Sequence, residues 1–160
     1  MRAAQDPAER GLFRLLYHDW RPTRLGRLVN RLTGWRSANR LAPPFLQSLE
    51  VPGRVSGKMR ATPVVIATVA GRRYLVSMLG ERSEWVRNVE AAGGTATLRH
   101  GSREPVQLVA LPVEQRAPVL REYVRVAESG RRHFPLAPDA SLDEFASIAD
   151  RYPVFRIEPA

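Results

Sequence analysis

The 160-residue sequence contains no cysteine, which removes disulfide scaffolds, thiolate metal sites, CxxC redox pairs and cysteine nucleophiles from consideration. Histidine is scarce: His18, His100 and His133 lie far apart and lack the spacing of metal ligands, so no metal site is expected. No apolar run reaches the ~18 residues of a transmembrane helix, and the N-terminus has no uncharged apolar core. A cytoplasmic protein is therefore expected. Lysine is nearly missing as well: of 25 basic residues only Lys58 is lysine, a bias that GC-rich coding produces and that suggests an actinobacterial source. There is no internal repeat, no low-complexity tail, no Gly-x-Ser-x-Gly elbow, and none of the βαβ alternation that a doubly wound parallel sheet requires.

What is present suits one domain. At 44% hydrophobic residues, a chain of this length buries roughly 70% of its unfolded surface. The formal charge of +9 is unevenly spread. Residues 1–49 hold nine arginines against Asp6, Glu9 and Asp19, a balance of 9 − 3 = +6, which leaves +3 for the other 111 residues. From Gly11 to Trp35 the pattern is helical, with Leu25, Leu28, Val29 and Leu32 on one stripe, and Pro22 splits it into two predicted helices. Such a pair either packs its stripe on the rest of the domain with solvated arginines, or lies on an anionic membrane surface with Trp20 and Trp35 at the interface. Nucleic acid is not an expected partner, because neither an RNP-type aromatic strand nor a helix-turn-helix pattern occurs.

Beyond Pro43-Pro44 the signals alternate between strand and helix. Strands are predicted at Phe45–Val51, at Val64–Ala70 (apolar on both faces) and at Tyr74–Met78, with Gly71-Arg72-Arg73 as a hairpin turn. Ser83 is the predicted N-cap of a helix over Glu84–Ala92 that Gly93-Gly94 stops. A second hairpin, Thr95–His100 and Val106–Leu111, turns at Gly101-Ser102. A helix from Pro118 buries Val119, Leu120, Tyr123 and Val124; Gly130–Pro138 is a loop. A capping box of Ser141 and Glu144 opens a last helix to about Asp150, and Val154–Ile157 closes the domain as a strand. Strands with helices inserted between antiparallel hairpins make an α+β barrel. Its open edge admits a homodimer, though no sequence feature requires one.

Two segments have the composition of a binding site. In Gly53-Arg54-Val55-Ser56-Gly57-Lys58-Met59-Arg60-Ala61-Thr62-Pro63 the glycines free the backbone to turn N–H groups toward an anion, and Arg54, Lys58 and Arg60 supply three cations. It is not a Walker A loop, since Met59 stands where Ser or Thr would bind magnesium, and the same residues equally describe a solvated basic turn. In Val76-Ser77-Met78-Leu79-Gly80 a strand ends in small and apolar groups against which a planar ring can lie. Trp85 could wall that pocket, with Arg87 and Asn88 as donors, or could simply pack in the core.

Taken in order and spacing, Gly53-Arg54-x-Ser56-Gly57-x-x-Arg60-x-x-Pro63, Ser77-x-x-Gly80 and Trp85-x-x-Asn88-x-x-Ala91 resemble the deazaflavin-dependent nitroreductase and quinone reductase family, over about Leu49 to Ala110 and again at Pro153–Pro159. The resemblance implies a split β-barrel, similar to FMN-binding barrels, over residues 45–160, with residues 1–44 as a basic helical segment packed on or extending from it. It implies coenzyme F-420 as cofactor, its anionic tail held by Arg54, Lys58 and Arg60 in a loop shaped by Gly57 and Pro63, with Ser56 and Met59 also at the cofactor. Val76, Ser77, Met78, Leu79 and Gly80 would lie along its ring, with Trp85, Arg87 and Asn88 beside it. The implied activity is hydride transfer from the reduced deazaflavin to a quinone, nitro compound or enone-like acceptor. FMN on the same fold, or a non-catalytic lipid or cofactor carrier, are the alternatives. The chain departs from the family pattern at Leu79, where several members have lysine, in a short turn after Gly80, and in Arg131-Arg132-His133-Phe134-Pro135, where the family varies. Tyr123, His133 or water are the candidate proton donors, and no catalytic residue is assigned.

Overall fold

A computed structural model of the chain describes residues 17–18, 21–22 and 42–160. Most of the helical reading for residues 11–35 lies outside them. Where they can be compared it is corrected: β1 (Tyr17–His18) and β2 (Arg21–Pro22) pair antiparallel, with Tyr17 opposite Pro22. Proline disfavours a helical conformation at the residue before it and has no N–H for a helix bond, and both effects oppose a helix at Arg21–Pro22.

The remaining strands are β3 (Leu46–Pro52), β4 (Met59–Val69), β5 (Arg72–Val76), β6 (Thr95–His100), β7 (Ser102–Ala110) and β8 (Val154–Pro159). They form a closed antiparallel barrel in the order β3-β4-β5-β8-β7-β6. Closure comes from β3 against β6, with Leu49 opposite Leu98, so the open edge expected from the sequence is absent. Alternation along each strand does the sorting. Leu49, Val51, Val64, Ile66, Leu75, Leu98, Val106, Leu108, Phe155 and Ile157 fill the interior. The intervening residues face outward, and where helices cover them they form a second core: Ala67, Tyr74, Val76 and Val154 pack under α2 (Ala117–Val126) and α3 (Leu142–Ala146). β4 is thus covered on both faces over Val64–Ala67, as its largely apolar run predicted, whereas Thr68 is exposed.

The ends of the barrel are closed differently. Helix α1 (Glu84–Ala91) turns Val86 and Val89 into the interior core. Arg73 and Glu104, on inward-facing positions of β5 and β7, pair in a two-bonded fork.

Several boundaries differ from the sequence reading. The first hairpin turns on two residues, Ala70 (φ 49°) and Gly71 (φ 75°), both left-handed as a type I′ turn demands, so Arg72 and Arg73 belong to β5. The last helix stops at Ala146, and a separate 3-10 turn covers Ala149–Arg151. β7 begins at Ser102, four residues before the predicted Val106, because it follows β6 through the single left-handed residue Gly101 (φ 79°). The capping box is present in full: Ser141 N–H donates to Glu144 Oε2 (2.9 Å) and Glu144 N–H to Ser141 Oγ (3.2 Å). No helix among the described residues is long and apolar enough to cross a membrane.

Candidate functional site

The predicted tail loop is shorter than its motif. β4 already begins at Met59, so Met59, Arg60 and Pro63 lie on a strand and only Gly53–Lys58 connects. Pro63 is tolerated there because β4 meets β5 only from Ile66 onward.

The loop also spends its backbone donors on itself. Gly53 N–H donates to Lys58 O (2.9 Å) and Gly57 N–H to Gly53 O (2.7 Å). Lys58 N–H reaches Ser56 Oγ (3.4 Å), and Arg54 N–H donates to Asn88 Oδ1 (3.1 Å). The expected nest of inward N–H groups is therefore corrected. Among the described residues only Val55 and Ser56 keep loop N–H groups without a protein partner.

Nor are the three cations equivalent. Arg54 forms an ion pair with Glu84 (2.8 Å) in the first turn of α1, and that hydrogen bond holds its guanidinium above its ordinary pKa. Its Nη1 also reaches Asn88 Oδ1 (3.2 Å). Lys58 and Arg60 are exposed and have no ion pair among the described residues, as has Arg87 on α1. The residues fit an anionic group through Lys58, Arg60 and two loop N–H groups, not through a closed phosphate cradle.

The second segment meets the same helix. Ser77 Oγ donates to Gly80 O (2.7 Å), so in its 2.7 Å contact with Ser83 Oγ the donor is Ser83. Ser83 precedes α1 as predicted but makes no side-chain cap bond, its hydroxyl being turned to Ser77. Val76 and Ser77 are enclosed by protein, and Met78 packs against the outer core. The surface left for a ring is Met78, Leu79 and Gly80, each half-buried. Trp85 is half-buried and meets Phe155 edge-on at 5.6 Å, which ties it to the barrel interior.

Thus the structure brings both predicted segments against α1 and its N-cap Ser83, although Arg54 and Asn88 are 34 residues apart. The sequence reading missed Glu84 as the partner of Arg54. Its spacing of four from Asn88, which puts both on one helix face, was the available signal.

The candidate proton donors fare less well. Tyr123 is 4% exposed under Phe134, and burial pushes its phenol well above the ordinary value. His133 is held below its ordinary value by burial and by the Arg132 charge, so its ring is neutral at pH 7. Phe134 stacks on Tyr152 at 4.2 Å, and Tyr152 Oη donates to His133 O (2.9 Å). This anchors part of the variable Arg131–Pro135 segment in the outer core.

A closed six-stranded antiparallel barrel with helices packed on one flank is a split-barrel α+β fold. The chain belongs to the F-420H(2)-dependent quinone reductase family, whose family model matches residues 26–132. It is thereby an oxidoreductase of a family defined by coenzyme F-420; of the two tricyclic cofactors left open by the sequence, the match is to the deazaflavin. Among solved structures, a domain-swapped dimer aligns at a TM-score of 0.53 with 17% identity, covering 84% of this chain and 96% of that one. A protein of unknown function from Agrobacterium tumefaciens aligns at 0.51 with 11% identity, covering 89% and 57%. An F-420-H2 dependent reductase, FDR-A, aligns at 0.47 with 19% identity, covering 71% and 94%. These identities speak to the fold alone. No curated protein matches the chain in sequence.

Proposed function

We propose that the chain reduces an electron-poor acceptor, a quinone, nitro compound or enone-like molecule, at the expense of reduced coenzyme F-420. The observation that carries the reading is the convergence of the basic loop and the Ser77–Gly80 turn on one helix, in a chain of this family. Lys58 and Arg60, with the N–H groups of Val55 and Ser56, would hold the anionic tail. Met78, Leu79 and Gly80 would meet the ring, with Trp85 at its edge. The cofactor supplies the hydride when bound. The protein's part is to orient it, to exclude water and to leave one ring face open to the acceptor.

With Arg54 committed to Glu84 and Leu79 apolar, charge recognition falls mainly on Lys58 and Arg60. Each charge-assisted contact is worth roughly 1.5–3 kcal/mol at most, less where solvent screens it. Fluorescence-quenching titration tests this. The Lys58→Ala, Arg60→Ala double variant should bind F-420 at least about tenfold more weakly and with a flatter salt dependence than the parent. Equal affinity in the two proteins would remove the loop from the site, and binding of FMN in preference to F-420 would overturn the cofactor.

A further inference from the structure

Besides its own backbone bonds, the loop that carries Lys58 is tied to another element by one buried amide. Asn88 is 5% exposed on α1, and its Oδ1 accepts from both the backbone N–H (3.1 Å) and the guanidinium Nη1 (3.2 Å) of Arg54. Glu84 meets Arg54 at the guanidinium, and from a more exposed position. The two contacts differ in kind: a carboxylate at a flexible side-chain tip fixes charge, whereas an acceptor on the backbone fixes where the chain leaves β3. A loop of six residues with two glycines has many conformations to lose, and each restraint on its backbone lowers the entropy lost when a ligand orders it.

We infer that Asn88 is a positioning residue that pre-sets the Gly53–Lys58 loop for its anionic ligand, acting through Arg54. The inference rests on the reading of this loop as the tail site. The charged side chains of Lys58 and Arg60 make no hydrogen bond or ion pair among the described residues. Arg60 is placed by β4, opposite Val51, whereas Lys58 depends on the loop backbone, which the Pro52–Met59 pair closes at its base and Asn88 holds at Arg54.

The test begins with the cofactor-free protein. Hydrogen exchange of the Arg54 amide, followed by NMR, should speed up about tenfold in Asn88→Ala, the worth of one buried hydrogen bond. It should stay slow in Asn88→Asp, which keeps the oxygen acceptor and also guards against a folding defect, and in Glu84→Gln, which weakens the guanidinium pair but leaves the Arg54 N–H bond to Asn88 in place. Asn88→Ala should also raise KM for F-420 while leaving kcat at saturation unchanged. Unchanged Arg54 exchange in Asn88→Ala overturns the inference. Faster exchange with unchanged KM shows instead that Asn88 holds the loop but that the loop is not the tail site, which also refutes the proposed placement of the cofactor.

Discussion

Gly94 and Gly71 share a left-handed backbone (φ 86° and 75°) but have opposite surroundings, and that contrast yields a prediction with an internal control. A Cβ on Gly71 would meet nothing within 4 Å, whereas one on Gly94 would lie 2.5 Å from Gln107 Nε2 and 2.6 Å from Leu108 O. Gln107 can swing away; Leu108 O is backbone of β7. Yielding there would also disturb the Leu108 N–H bond to Gly94 O (2.9 Å). Gly71→Ala should therefore cost only the left-handed penalty of ~1–2 kcal/mol. Gly94→Ala should add the overpacking of a site with no room, ~1–3 kcal/mol, for about 2–5 kcal/mol in total. Urea denaturation of both variants, followed by circular dichroism, measures the difference. Equal destabilisation, within about 0.5 kcal/mol, would mean that α1 can retreat from β7 and that its seat on the barrel is loose.

Two further outcomes follow from the packing. The Arg73 hydrogen bond, and then its charge, hold the Glu104 carboxyl below its ordinary 4.5, so the pair stabilises the fold fully above that pH and loses its contribution as pH falls through the folded value. Both side chains keep more than a third of their surface in solvent (36% and 45%), so Glu104→Gln should cost no more than ~1 kcal/mol at pH 7, and the gap to the parent should narrow towards pH 3; a constant gap would show that the fork is not the cause. Phe145, fully buried between α3 and α2, should cost ~3–5 kcal/mol as Phe145→Ala in the same denaturation assay, and a loss under 1 kcal/mol would mean that α3 folds back to fill the space.

Much of the barrel could be read from periodicity, because apart from the Arg73–Glu104 pair at one end the inward positions are largely apolar. Thr95–His100 and the buried stripe Val119, Leu120, Tyr123 and Val124 came out as expected for that reason. Turn lengths were less legible: Gly71-Arg72-Arg73 looks like a three-residue turn until Ala70 takes the left-handed position that alanine rarely adopts. Composition located the candidate site but not its wiring. Three cations in seven residues are visible in sequence, but which of them is neutralised depends on a helix 30 residues away, where the i, i+4 spacing of Glu84 and Asn88 marks a face without showing that it meets Arg54. Ser77 and Val76 show the same limit, since a strand end reads alike whether its side chains face a ligand or the core.

The closing strand has a consequence for how the molecule comes to exist. β8 sits between β5 and β7, pairing Leu75 with Phe155 and Leu108 with Ile157, so two strands made early both wait for residues 154–159. During synthesis β5 and β7 must remain unpaired along those edges while most of the chain is already outside the ribosome. Contacts that span some 80 residues form slowly, and waiting edges invite pairing with other chains. Efficient production of this barrel should therefore depend less on its finished stability than on how long the nascent chain stays unclosed.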